Sequence, residues 1–241
     1  MAHDAKGPGK GLWSRLFGRT DRTAADADPE ADEQEEPVAP PIGVSAVPLA
    51  PTSSLRQALI FEVRRLRADK RTDEAIFMLE TALQDAPDDV ELHGELHDLC
   101  RSAGDPYATL AHGQRWVRSL AKAGRMRDAL EALRELHAID EDFRLEDADA
   151  SLPLAQLAMR DGARELAVGL VDGFDRRFPG HAAMPTMYFL GARLLSEHWQ
   201  KHGQAAQMIR SVIAHFGDHP VADEARAYLV ALEARIGDVK R

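Results

Sequence analysis

The feature that most constrains this chain is a phrase that recurs along it. Asp73-Glu74-Ala75-Ile76 is followed by Leu79, Ala82 and Pro87. The same order returns around Gly124 as Ala129, Leu133 and Leu136, and around Gly162 as Ala167, Val171, Phe174 and Pro179. A weaker copy holds Ala205, Ile209 and Val212. Each copy sets a small residue, a large apolar residue and a further packing residue at intervals of four and three, which lie on one stripe of a helix. Repeated helical phrases predict stacked helix pairs, each burying its stripe against the next, and such arrays usually bind other proteins rather than catalyse reactions.

Composition agrees with helices. Ala and Leu dominate, aromatic residues make up 6% of the 241 positions, and no alternating strand pattern of useful length occurs. A net charge of −10 argues against general nucleic-acid binding, which needs clustered Lys and Arg to neutralise phosphates. Cys100 is the only cysteine, so no internal disulfide can form, which fits a reducing compartment. No stretch approaches the roughly 20 apolar residues of a membrane span. The N-terminus has no apolar run of a secretory signal, so a cytoplasmic protein is expected.

Three zones follow one another. Residues 1–22 are basic and Gly-rich, with a short amphipathic segment. Residues 23–53 form a linker whose acids run from Asp26 to Glu36 and whose prolines include Pro37, Pro40, Pro41, Pro48 and Pro51. Like charges and prolines predict a disordered segment there. From residue 54 to 241 the pattern is helical. Ser53 or Ser54 caps a first helix to about Ala68, and Thr72 a second ending near Pro87. Asp88 or Asp89 opens a third, to Gly104. Asp105-Pro106 opens a fourth, with an acid at the N-cap and proline in the first turn. Gly124 stops it, and a fifth runs from about Met126 to Ala138. Asp140 to Asp149 reads as a longer loop or frayed end. Ser151-Leu152-Pro153 starts a sixth helix, which stops at Gly162, and a seventh ends at Phe178-Pro179-Gly180. The last three span about Pro185–His202, Gln204–Phe216 and Val221–Ile236.

These residues resemble the tetratricopeptide repeat (TPR) family, whose helix–turn–helix motif has 34 residues. Met187-x2-Leu190-Gly191-x2-Leu194 is similar to the first helix of the motif, and the Ala-based phrases to the second. The segments from Arg71 to Asp88 and from Gly162 to Pro179 match best, and the resemblance covers roughly residues 55–236. It implies an all-α, right-handed TPR-like array of helical hairpins, about ten helices in all, behind a disordered N-terminal tail. The matched alanines are spaced 54, 38 and 38 residues apart, so one helix near 90–122 breaks simple pairing and a bent or two-part array is expected. The resemblance also implies a protein–protein interaction adaptor or scaffold that takes a partner segment in its concave face. Carrying the spacing over places Ile60, Arg64 and Arg67, then Gln114 and Arg118, then Gln156 and Met159, then Tyr188, Ala192 and Leu195 along that groove. Arginine grips carboxylates bidentately, so an acidic or C-terminal peptide is one conceivable ligand.

Other constellations read as structural. His93, His97 and Cys100 sit at i, i+4 and i+7 of one helix, a spacing that can ligate zinc, but with Leu96 they coincide with packing positions and no fourth ligand is evident. Gly7-Pro8-Gly9-Lys10-Gly11 lacks the glycine spacing, the Ser or Thr after Lys, and the preceding strand of a phosphate loop. No Gly-x-Ser-x-Gly occurs, and Asp140-Glu141-Asp142 lies in a solvated loop. No catalytic residue, metal or cofactor is expected. In the tail, Leu12, Trp13, Leu16 and Phe17 share one helical face, with Arg15 and Arg19 on its flank. Such a stripe can lie on an anionic membrane surface, dock in a partner groove or be a plain tail. The first option, contact through residues 10–19, gives an alternative reading: a peripheral assembly or regulatory factor tethered at the inner membrane.

Overall fold

The structure, a computed structural model, describes residues 53–239. The expected disordered linker and the tail residues Leu12, Trp13, Arg15, Leu16, Phe17 and Arg19 lie outside the described residues. Within them the chain is all helical: α1 (Ser53–Ala68), α2 (Thr72–Asp85), α3 (Val90–Ala103), α4 (Pro106–Lys122), α5 (Met126–Ile139), α6 (Ala148–Arg160), α7 (Arg164–Val171), α8 (Phe174–Arg177), α9 (Met184–Glu197), α10 (His202–His215) and α11 (Val221–Val239). Each helix packs chiefly on its sequence neighbours and then on the helix two places away, as a stacked array requires.

One turn builds most of the hairpins. Lys70, Gly104, Gly124, Gly162 and Gln200 all take φ between 56° and 76°. After the first four, the next amide donates to the carbonyl five residues back: Arg71 to Leu66 at 2.9 Å, Asp105 to Cys100 at 3.3 Å, Arg125 to Leu120 at 2.9 Å and Ala163 to Ala158 at 2.8 Å. This left-handed closure satisfies orphan carbonyls at a helix end and reverses the chain. Five residues beyond each turn stands a small, buried residue: Ala75, Thr109, Ala129, Ala167 and Ala205, none more than 2% exposed. The recurring phrase is therefore the second helix of each hairpin, meeting its partner where only a small side chain fits.

Thr109 marks a copy that the alanine pattern hides, and it explains the odd spacing. The helix α4 serves two hairpins. Toward α3 it is the second helix, with Thr109 at the small position. Gly113 stands where the other copies carry Leu79, Leu133, Val171 and Ile209; a Cβ there would lie 2.3 Å from Leu136 and 2.9 Å from the His97 ring. Toward α5, the same helix is the first, contributing Val117 and Leu120.

The buried apolar side chains form two clusters that divide at α3 and α4. The smaller holds Val63, Leu66, Ala75, Leu79, Leu92, Leu96, Leu99 and Cys100. The larger runs from Val117 to Leu232. Between them sit buried polar residues, His93, His97, Thr109 and His112. The two-part array expected from the spacing is present as two cores.

Three expected boundaries are corrected. The helix α6 begins at Ala148 rather than Ser151, because Asp147 is the N-cap, its side chain accepting from the Ala150 amide at 2.8 Å. The Ser151 hydroxyl instead donates to the Asp147 carbonyl at 2.5 Å, and Pro153 lies inside the helix. The seventh helix is broken at Asp172-Gly173 into α7 and α8, so the described residues hold eleven helical segments. The guanidinium of Arg177 donates to the carbonyls of Leu170 (3.0 Å) and Asp172 (3.2 Å), supplying donors that the break removes, and to that of Leu145 (2.6 Å) in the preceding loop. The helix α9 ends at Glu197, not His202, with Gln200 forming the turn. The acidic connection 140–147 is a loop, yet it is anchored by Phe143 and Leu145, 7% and 1% exposed.

Candidate functional site

Two of the hollows along the described residues take in residues expected at the groove. The first, of about 580 Å3, is lined by α1, α3, Trp116 of α4 and Arg125 before α5. Arg56 and Arg64 project from one side of α1 and pair with α3: Arg56 with Asp89 at 2.8 Å, Arg64 with Glu95, its Nε at 3.1 Å. These pairs hold the two first helices side by side with a furrow between. Its floor is Trp116, whose indole crosses Gly94; a Cβ on Gly94 would come within 3.2 Å of the indole nitrogen. The indole also stacks on the buried His97 ring, 5.2 Å between centroids and 27° between planes. Phe61, 72% exposed, stands on one wall with Ile60, and Val90 on the other. Glu91, Glu95 and Asp98 give the α3 wall an acidic edge.

The second hollow, about 590 Å3, is bounded by α6, α9 and α11. Gln156, Met159, Phe189, Arg193 and Glu224 line it, together with Met126.

The groove residues expected from the sequence divide accordingly. Ile60 and Arg64 meet in the first hollow, Gln156 and Met159 in the second. Arg67 is exposed near the end of α1, while Gln114 and Arg118 on α4 line neither hollow. Tyr188 is half-buried beside Phe216, with centroids 6.4 Å apart. Leu195 is a correction: at 1% exposed it belongs to the core, as does Ala192, because that face of α9 is covered by its neighbours. The arginine reading changes too. Arg64 already holds Glu95 through two nitrogens, and Arg118 meets Asp147 through Nε at 3.2 Å, so each is paired with one of the chain's own acids.

Sequence reasoning missed Phe61, Val90, Gly94 and Trp116. The available signal was Gly94: a lone glycine inside a helical pattern marks a close approach by another group.

Near the floor, His112 is buried with its Nε2 3.9 Å from Glu80. Burial chiefly pushes its pKa below the ordinary value, Arg115 adds to this, and Glu80 opposes it. Burial, with help from Asp105 and Glu80, raises the Cys100 thiol. Among the described residues no group of three or more His, Cys, Asp or Glu could hold a metal ion, and no helix is long and apolar enough to cross a membrane. What the first hollow offers is aromatic surface with carboxylates at its edge.

No family model and no curated protein matches the chain. Among solved structures it is similar to YrrB, described as a TPR protein with an unusual peptide-binding site, at 14% identity over 70% of this chain and 90% of that one, with a TM-score of 0.33. It is similar to a tetratricopeptide repeat protein of Parabacteroides merdae at 13% identity over 74% and 73%, TM-score 0.34. A third, pilF of Pseudomonas aeruginosa, has 17% identity over 77% and 97%, TM-score 0.27. TM-scores this low leave the chains only loosely superposed. The chain's own helix order and recurring turn make its fold an all-α, TPR-like array of helical hairpins.

Proposed function

We propose that this chain is a non-catalytic adaptor in which the helical region, residues 54–241, holds a segment of a partner protein in the furrow between α1 and α3. The observation that carries this is the furrow itself: a Trp116 floor, an exposed Phe61 wall and carboxylates along one edge. Such a site rewards an apolar or aromatic side chain flanked by Lys or Arg. An acidic ligand is disfavoured, because Glu91, Glu95 and Asp98 outnumber Arg64 and Arg125 along the furrow. The alternative, a peripheral station at the inner membrane through residues 10–19, rests on residues outside the described ones.

Panning displayed peptides against the full chain tests the reading. Enriched sequences should carry an aromatic residue beside basic ones. Phe61→Asp, at an exposed position, should weaken the best peptide at least tenfold while helicity by circular dichroism stays unchanged. Enrichment of acidic peptides, or equal affinity for Phe61→Asp and the parent, rejects the furrow as the site.

A further inference from the structure

We infer that the open end of the array, the side of the α1–α2 hairpin turned away from α3, is a docking surface for the chain's own residues 12–17. In a stacked array each hairpin is covered on both sides except at the ends, and an end stays soluble only if its outer face is polar or capped. This end is not polar. On one side of α1, Arg56 and Arg64 reach α3; the opposite side carries Leu59, Glu62 and Leu66. With Phe77, Met78 and Thr81 of α2 these border a hollow of about 720 Å3. Phe77 is 70% exposed and borders the hollow together with half-buried Leu59 and Met78, so the apolar surface there is contiguous, which is what marks an interaction surface.

The occupant is argued from the rest of the sequence. Fifty-two residues of the sequence precede Ser53, and the aromatic side chains among them, Trp13 and Phe17, stand together with Leu12 and Leu16, whereas Ile42, Val44, Val47 and Leu49 are smaller and interrupted by proline. Thirty-five residues separate Phe17 from Ser53. A chain of that length spans roughly 30 Å on average even without regular structure. The hollow lies nearer than that, since the whole of α1 is about 24 Å long. A tether of this kind gives the segment an effective concentration in the millimolar range, which a second copy of the chain does not match. Charge agrees as well: residues 10–19 carry Lys10, Arg15 and Arg19 and no acid, while Glu62, Asp73 and Glu74 outnumber Arg65 and Arg71 around the hollow. The tail therefore supplies in cis the cap that a preceding repeat would provide. This surface is separate from the furrow, so the inference stands or falls independently of the proposed function.

The test uses the full chain with Trp13 replaced by the photo-crosslinker p-benzoylphenylalanine. Irradiation should join position 13 to residues 59–81 of the same chain, with equal yield across a hundredfold dilution. Adding Phe77→Asp should cut that yield at least fivefold without changing helicity. In otherwise native protein, Trp13→Ser/Phe17→Ser should speed amide exchange of residues 59–66 and 73–81 at least threefold. Crosslinks between chains that grow with concentration overturn the inference in favour of a second copy. Crosslinks that appear only with phosphatidylglycerol vesicles, and then to lipid, overturn it in favour of a membrane. The absence of any crosslink to α1 or α2, with exchange unchanged in the double variant, overturns it outright.

Discussion

At the scale of single residues, two glycines that look alike in the sequence have opposite roles. Gly113 has no room for a methyl group, because its Cβ would lie 2.3 Å from Leu136 Cδ2 and 2.9 Å from His97 Nδ1. Gly203, in the first turn of α10, has nothing within 4 Å. Gly113→Ala should cost about 1–3 kcal/mol from overpacking, whereas Gly203→Ala should be neutral or stabilise by up to about 1 kcal/mol through helix propensity. Urea unfolding of the two variants checks both signs. The buried histidines give a pH dependence. Burial pushes His112 down, with Arg115 adding and Glu80 opposing; burial pushes His137 down, with Arg144 adding and the Glu141 backbone and Asp140 opposing. For a histidine whose folded pKa is depressed, the unfolded chain binds more protons as pH falls below about 6.5, so the stability present above that value is progressively lost. The unfolding free energy should be smaller at pH 5.5 than at pH 7.5, and His112→Gln should narrow that difference.

At the scale of elements, the sequence revealed the helices far better than the exceptions to them. Ala75, Ala129, Ala167 and Ala205 announced four hairpins because close helix approach selects alanine. Thr109 performs the same task, but paired with Gly113 it carries no large residue four places on, so its copy stayed hidden and α4 read as an odd helix. Lys70 and Gln200 make left-handed turns without glycine, so residue type did not mark those turns. The engagement of Arg64 and Arg118 was illegible for another reason: Glu95 lies 31 positions from Arg64 and Asp147 29 from Arg118, and helical spacing says nothing about contacts at that range. The break between α7 and α8 was equally unannounced, and its repair depends on one side chain. Arg177 donates to three carbonyls and places its guanidinium 5.3 Å from the Phe178 ring centre. Buried carbonyls left without donors cost about 1–3 kcal/mol each. Arg177→Met should therefore lower the unfolding free energy by about 2 kcal/mol or more in a denaturant titration, and Arg177→Lys, which keeps the charge but not the fork, should fall between Met and the parent. Equal stability of all three would mean that solvent satisfies those carbonyls.

At the scale of the whole molecule, the division into two cores sets how the array comes apart. Hydrocarbon contacts dominate inside each core, but the seam between them is made of His93, His97, Thr109 and His112. Three ring nitrogens there, His93 Nδ1, His97 Nε2 and His112 Nδ1, are buried without a hydrogen-bond partner. Each lowers what the seam gains, because a buried polar group without a partner forfeits its hydration, whereas α3 and α4 themselves pack more extensively than any other pair of helices among the described residues. In a stacked array stability is a sum of local and nearest-neighbour terms, so the balance of packing and polar cost at this interface decides whether one side opens without the other. The smaller core, formed by α1, α2 and α3, is the side with less buried surface to hold it. Native-state hydrogen exchange in low denaturant reads this directly. Leu96→Ala, in the smaller core, should lower the opening free energy of amides in α1–α3 by about 2–4 kcal/mol, the usual cost of such a cavity. Amides in α6–α10 should shift by less than about 0.5 kcal/mol, as expected for sites that share no contacts. If both regions lose the same amount, the histidine seam transmits cooperativity in full and the array unfolds as one unit. If only the first region responds, the furrow between α1 and α3 lies on a part of the molecule that can open by itself. Phe61 and Trp116, on opposite sides of the seam, would then close on a partner only while the two parts are engaged.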